Sequence, residues 1–209
     1  MSLTARLAWY AAWFSVPLSV IHALSRFATA DGRSDLDAAV VRWWAEPAAR
    51  HLSFLLDWSD PDTVYRTYGK LWLPLMLAGL AAAVMVRRHR SPRGLERVAW
   101  PIALIGFGGL ALSLVGDYFT PWTEESFAAI GISAMLVMML GYVLLGIALL
   151  RRRFRPAATG WLLLLWVPEL FLLSSVIALG AALIPVLFAW ALATRTVTAA
   201  SQPAPAALA

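Results

Sequence analysis

The stretch "GWLLLLWVPELFLLSSVIALGAALIPVLFAWALA", Gly160 to Ala193, decides how this chain folds. It carries one ionisable side chain, Glu169, placed directly after Pro168. Residues 159–194 as one helix would measure about 54 Å at 1.5 Å per residue, well beyond the ~30 Å hydrocarbon core of a bilayer. The run therefore divides into two spans, about 159–175 and 177–195, with a tight turn near Ser174-Ser175. Flanking charge supports the division. Arg151, Arg152, Arg153 and Arg155 precede the run and Arg195 follows it, so both of its ends face the same side and it crosses an even number of times.

The rest of the chain fits that frame. Of its 209 residues 61% are hydrophobic and only 14% charged, which a soluble domain of this size cannot use. Long apolar runs without two-residue alternation exclude a β-barrel, because each span must satisfy its backbone internally. The fold class is all-α: a polytopic membrane bundle, with further spans at about 7–27, 68–88, 98–116 and 127–150. Six crossings are expected; five with a re-entrant hairpin is the alternative. The first span, long and interrupted by His22, reads as a membrane helix rather than a cleaved signal.

Arginines set the orientation. Arg87, Arg88, Arg90, Arg93 and Arg97 join spans two and three, and a second basic loop joins four and five. By the positive-inside rule both loops and both termini are cytoplasmic, and arginine- and alanine-rich usage suggests a bacterial inner membrane. The net charge of +5 belongs to these loops, which argues for membrane orientation or contact with anionic headgroups and against nucleic acid. Cysteine is absent, which removes disulfides and thiolate metal sites; no metal or other cofactor is expected.

Residues 28–67 form an external helical loop. "SDLDAAVVRWWAEP" opens on a capping-box-like Ser34 and Asp37, and "EPAARHLSFLLDW" starts a second short amphipathic helix with Pro47 in its first turn. Asp60 and Pro61 then read as N-cap and first residue of a helix that leads into the second span. Residues 1–195 form a single domain and 196–209 a disordered tail.

Polar groups on apolar helices mark candidate sites. Ser15, Ser19, His22 and Arg26 share one face of the first span, which must look into the bundle or into water. Gly106, Gly109, Ser113 and Asp117 share a face of the third, small at depth and acidic at its end. Met135, Met138, Met139 and Tyr142 read as adaptable core. Glu169 falls near the midplane of its own span, with Trp166 one turn before it. Pro168 removes the amide that the Leu164 carbonyl would use, so a kink is expected there.

The candidate site is an outward-facing polar cavity lined by His22, Arg26, Ser19, Ser113, Asp117 and Trp166, with Glu169 at its floor. The leading expectation is a non-enzymatic protein that binds a lipid-like ligand, a hydrophobic small molecule or a membrane partner, including a second copy. One alternative is an intramembrane enzyme using Glu169 as an acid on an isoprenoid or lipid. Another is the six-helix capture subunit of a transporter.

Overall fold

Ser2 opens the first helix by accepting a hydrogen bond from the Ala5 amide, and Asp60 opens another by accepting from the Thr63 amide at 2.9 Å. The hydrogen bonds from Thr63 hold the Asp60 carboxyl below its ordinary pKa. In the computed structural model, which describes residues 2–200, α1 spans Leu3–Ala28, α2 Ala39–His51, α3 Ser53–Leu56, α4 Pro61–Lys70 and α5 Trp72–Arg88. Then come α6 (Leu95–Phe119), α7 (Thr123–Ser126), α8 (Ile132–Arg151), α9 (Ala157–Leu164), α10 (Trp166–Val176) and α11 (Leu183–Ala200).

Five continuous stretches are long and apolar enough to cross a membrane: α1, α4 running into α5, α6, α8 with the π turn before it, and α11 with its preceding 3-10 turn. The bent pair of α9 and α10 also passes when taken together. Contacts at its two ends show that it runs the length of the bundle. At one end, the Arg152 guanidinium, just before α9, donates to the Ser91 carbonyl in the loop joining α5 and α6. At the other, the Trp44 indole of α2 donates to the Val176 carbonyl at 2.7 Å. Counted as one span, the bent pair brings the apolar spans among the described residues to six. The chain is a multi-pass, all-α membrane bundle.

The helix directions follow from side-chain pairs. Trp13 packs on Phe188 with ring centroids 5.3 Å apart, while the Arg195 guanidinium lies over the Trp9 ring at 4.4 Å, so α1 and α11 are antiparallel. The start of α1 reaches the end of α5 through Ser2 and Met85. The start of α1, the end of α11 and both arginine loops therefore share one end, called here the arginine end.

Close approach in the middle is made by small residues. A Cβ at Gly141 would strike the backbone of Ala103, and one at Gly106 the backbone of Met138, so α6 and α8 can touch only because both positions are glycine. Met138 and Tyr142 are fully buried there, as the methionine stripe suggested.

Several expectations need correction. The turn between the last two spans is at Ile177-Ala178, not Ser174-Ser175. Both serine hydroxyls donate to carbonyls of their own helix, Leu170 and Leu172, which lets α10 continue to Val176. The kink expected from Pro168, by contrast, is present: α9 and α10 meet at 64° about Leu165, beside the Leu164 carbonyl that proline leaves without a donor, and Pro168 itself falls in the first turn of α10. A missing amide hydrogen costs nothing there, because first-turn amides have no intrahelical acceptor. In the external loop, α2 passes through Pro47 instead of starting at it. Trp43, whose carbonyl loses that donor, is an exposed residue on a surface helix where solvent is at hand. Ser34 and Asp37 lie in the 3-10 turn Arg33–Asp37, because Asp35 is drawn to Arg26 and the Arg42 side chain binds the carbonyls of Leu36 and Asp37. Finally, α11 continues through residues 196–200, and the remainder of the expected tail lies outside the described residues.

Candidate functional site

At the end opposite the arginines, α1, α4, α5, α6 and α10 surround a cavity of about 720 Å³. That volume is within the ~300–1,000 Å³ range of small-molecule sites. Its lower wall is apolar, formed by Leu110, Leu114, Met135, Trp166, Leu170 and Leu183. Its upper wall is polar and aromatic, formed by His22, Arg26, Tyr65, Trp72, Asp117 and Tyr118. Asp35, next to α2, also reaches the cavity.

The polar wall is a linked set. Ring stacking puts His22 against Tyr65 with centroids 4.9 Å apart, and the edges of Trp72 and Tyr118 close around it. The Tyr118 hydroxyl lies 3.1 Å from His22 Nε2 and 3.3 Å from the Tyr65 hydroxyl. At the mouth, Arg26 Nε donates to Asp35 at 2.9 Å, in an ion pair about two-fifths exposed (39% and 41%). Gly69 decides where Tyr118 lies, since the tyrosine ring occupies the space that any Cβ at that position would need.

Three polar atoms on this wall are buried without a hydrogen-bond partner among the described residues: His22 Nδ1, Trp72 Nε1 and Asp117 Oδ1. Their residues are only 5%, 1% and 7% exposed, and all three line the same cavity. Leaving a buried polar group unsatisfied costs about 1–3 kcal/mol. Three residues that line one space thus each carry such an atom, where buried polar groups in folded proteins are nearly always paired.

Of the residues singled out in the sequence, His22, Arg26, Asp117 and Trp166 do meet at the cavity. Ser19 and Ser113 do not line it. The Ser19 hydroxyl turns back to the Val16 carbonyl, while Ser113 donates to Asp117 Oδ2 at 3.2 Å and so orients the carboxylate from behind. Glu169 is likewise not a lining residue, so it does not form the cavity floor; that place is taken by Trp166 and Leu170 on the neighbouring face of α10. Trp166 is pinned there by its indole N–H, which donates to the Ala182 carbonyl at 2.7 Å. Tyr65, Trp72 and Tyr118 were not anticipated. Tyr118 follows Asp117 directly in "GDYF", but helical periodicity gives no sign that it turns toward α1.

Among the described residues, no three His, Asp or Glu side chains gather in a way that could hold a metal ion. Compared with protein-family models, curated proteins and solved structures, the chain matches none.

Proposed function

We propose that this protein is a non-enzymatic membrane protein whose cavity takes up an amphiphile, polar head among His22, Trp72 and Asp117 and apolar tail against Leu110, Leu114 and Met135. The observation that carries the reading is the set of three unpartnered polar atoms on one half-apolar cavity. Their chemistry restricts the head. Trp72 Nε1 can only donate, so the ligand must bring an acceptor; Asp117 Oδ1 calls for a donor. Arg26 is already matched by Asp35, so Asp117 is the charge left over inside. A free anionic phosphate would face a carboxylate there, whereas a hydroxyl-bearing head, which both donates and accepts, satisfies both atoms.

On this reading the protein lies in a bacterial cytoplasmic membrane with the arginine end inside, which the arginine content of its loops supports. The cavity then opens toward the outer leaflet, beneath α2 and α3. Trp43 on α2, Phe54 on α3 and Trp58 just after α3 are exposed, as suits an interfacial layer.

The test is native mass spectrometry of protein purified in mild detergent with its co-purifying membrane lipids. A bound species should survive in the wild type and fall by about tenfold or more in Trp72→Phe, which removes the indole donor, and in Asp117→Asn, which takes the charge from the acceptor. If neither substitution lowers any bound species, the cavity holds water only and the reading is lost.

A further inference from the structure

The arginine end carries a second feature, independent of the cavity. Glu96, at the start of α6, is 0% exposed yet bound by charge on two sides. Arg90 donates to it through Nε at 2.5 Å and through a terminal nitrogen at 3.0 Å, and Arg152 donates at 2.7 Å. The Trp100 indole adds a further bond at 3.2 Å. Arg90 also lies over the Phe154 ring at 4.8 Å. This clamp fixes the loop between α5 and α6 against the end of α8 and uses up the Glu96 charge.

The clamp leaves other arginines unmatched. A groove at the same loop is lined by Val84, Arg87, Arg88, Arg90, Pro92 and Arg97. No carboxylate is within ion-pair distance of Arg87, Arg88 or Arg97 among the described residues. Topology alone requires arginines near the membrane, not three of them turned into one groove. Val84 lies one helical turn deeper in α5 than Arg88, so the groove has an apolar wall on its membrane side. Guanidinium groups above an apolar wall suit a phosphate joined to an acyl chain.

We propose that the groove of Arg87, Arg88 and Arg97 is a specific site for the headgroup of an anionic phospholipid in the leaflet at the arginine end. Phosphodiester oxygens would take the unmatched guanidinium donors, and the first methylenes of the chain would lie against Val84. The buried clamp beneath keeps the loop in place whether or not a lipid is present.

The test uses the full-length protein in nanodiscs and in detergent, titrated with phosphatidylglycerol, with phosphatidylcholine and with inorganic phosphate, read by native mass spectrometry. The first variant carries Arg87→Gln, Arg88→Gln and Arg97→Gln. The control carries Arg151→Gln, Arg153→Gln and Arg155→Gln, which removes the same charge from exposed positions on the other loop at this end. Phosphatidylglycerol affinity should fall at least about tenfold in the first variant and less than about twofold in the control. Equal loss in both would show diffuse electrostatic attraction and overturn the site. So would equal affinity for phosphatidylcholine, or displacement of the lipid by millimolar inorganic phosphate, which would mean a free-anion site. If the triple variant fails to fold, Arg88→Gln and Arg97→Gln are measured singly. Each should weaken phosphatidylglycerol binding by about threefold, and no change in either also overturns the site.

Discussion

At the scale of single residues, Glu169 and Gly69 exchange the roles that their types suggest. A carboxylate in an apolar run draws attention, but the break at Leu165 makes Glu169 a first-turn residue of α10. A negative charge is favoured at that end of a helix by the dipole and the unpaired amides. One of its oxygens, Oε2, is nonetheless buried without a hydrogen-bond partner among the described residues, on a residue that borders the cavity wall without joining it. Glu169→Gln should therefore leave cavity occupancy within about twofold of wild type, since a neutral amide keeps the shape and no ligand contact is lost. Complete loss of the bound species in that variant, measured as for Asp117→Asn, would restore Glu169 to the site. Gly69 carries no chemistry, yet the placement of Tyr118 depends on it. Gly69→Ala should push the Tyr118 ring aside and break its bond to His22. The ¹⁵N resonance of His22 Nε2 in selectively labelled protein should shift as in Tyr118→Phe; an unchanged resonance would show that the ring accommodates the methyl group. Neither residue's role was legible from its type. Helical spacing correctly sent His22, Arg26 and Asp117 inward, because burying polar atoms away from lipid is a strong local rule. Which side chains from other helices would meet them depends on crossing geometry, which spacing within one helix does not carry.

At the scale of elements, the length argument was decisive and the local signals were weaker. A 34-residue apolar run cannot be one span, and the structure divides it between the bent pair α9–α10 and α11 as length requires. The break within the first of those spans falls at Leu165, next to the Leu164 carbonyl that Pro168 leaves without a donor, so the proline signal is legible there. At Pro47 the same signal misleads, because α2 runs through it from Ala39 to His51. Glu96 went unnoticed for a related reason: beside five arginines it reads as part of a solvated, charged loop. Its burial makes it structural. Glu96→Ala leaves Arg90 and Arg152 facing each other without the carboxylate. Removing one partner of a buried ion pair costs about 3–5 kcal/mol, and the partial exposure of Arg152 (40%) places this case at about 3 kcal/mol. Glu46→Ala, which breaks the exposed 4.0 Å pair with Arg42 but leaves the Arg42 bonds to the Leu36 and Asp37 carbonyls in place, should cost less than about 0.5 kcal/mol. Denaturation in mixed micelles compares the two. Equal effects would mean that the clamp is solvated in the working protein.

At the scale of the whole molecule, the two ends are opposite in character. One gathers arginines around a buried acid; the other gathers aromatic rings beside unpartnered polar atoms, under a segment that exposes Trp43, Phe54 and Trp58. That polarity follows from the parity of the crossings. Were α9 and α10 a re-entrant hairpin, the start of α1 and the end of α11 would lie on opposite sides of the membrane. The antiparallel pairing of Trp13 with Phe188 and of Trp9 with Arg195 puts them on the same side. Because the chain has no native cysteine, single cysteines can report this without background. In intact cells, cysteines placed by Ser2→Cys and Thr198→Cys should both resist a membrane-impermeant maleimide and react only after permeabilisation. Asp62→Cys, in the first turn of α4 at the far end, should react in both conditions. Labelling of Thr198→Cys but not Ser2→Cys in intact cells would reduce the count to five crossings. Labelling of both, with Asp62→Cys protected, would keep six but turn the cavity toward the cytoplasm. The ligand would then have to come from the inner leaflet, and the arginine groove would face the outer one, where the attraction of basic segments to anionic lipid is weakest.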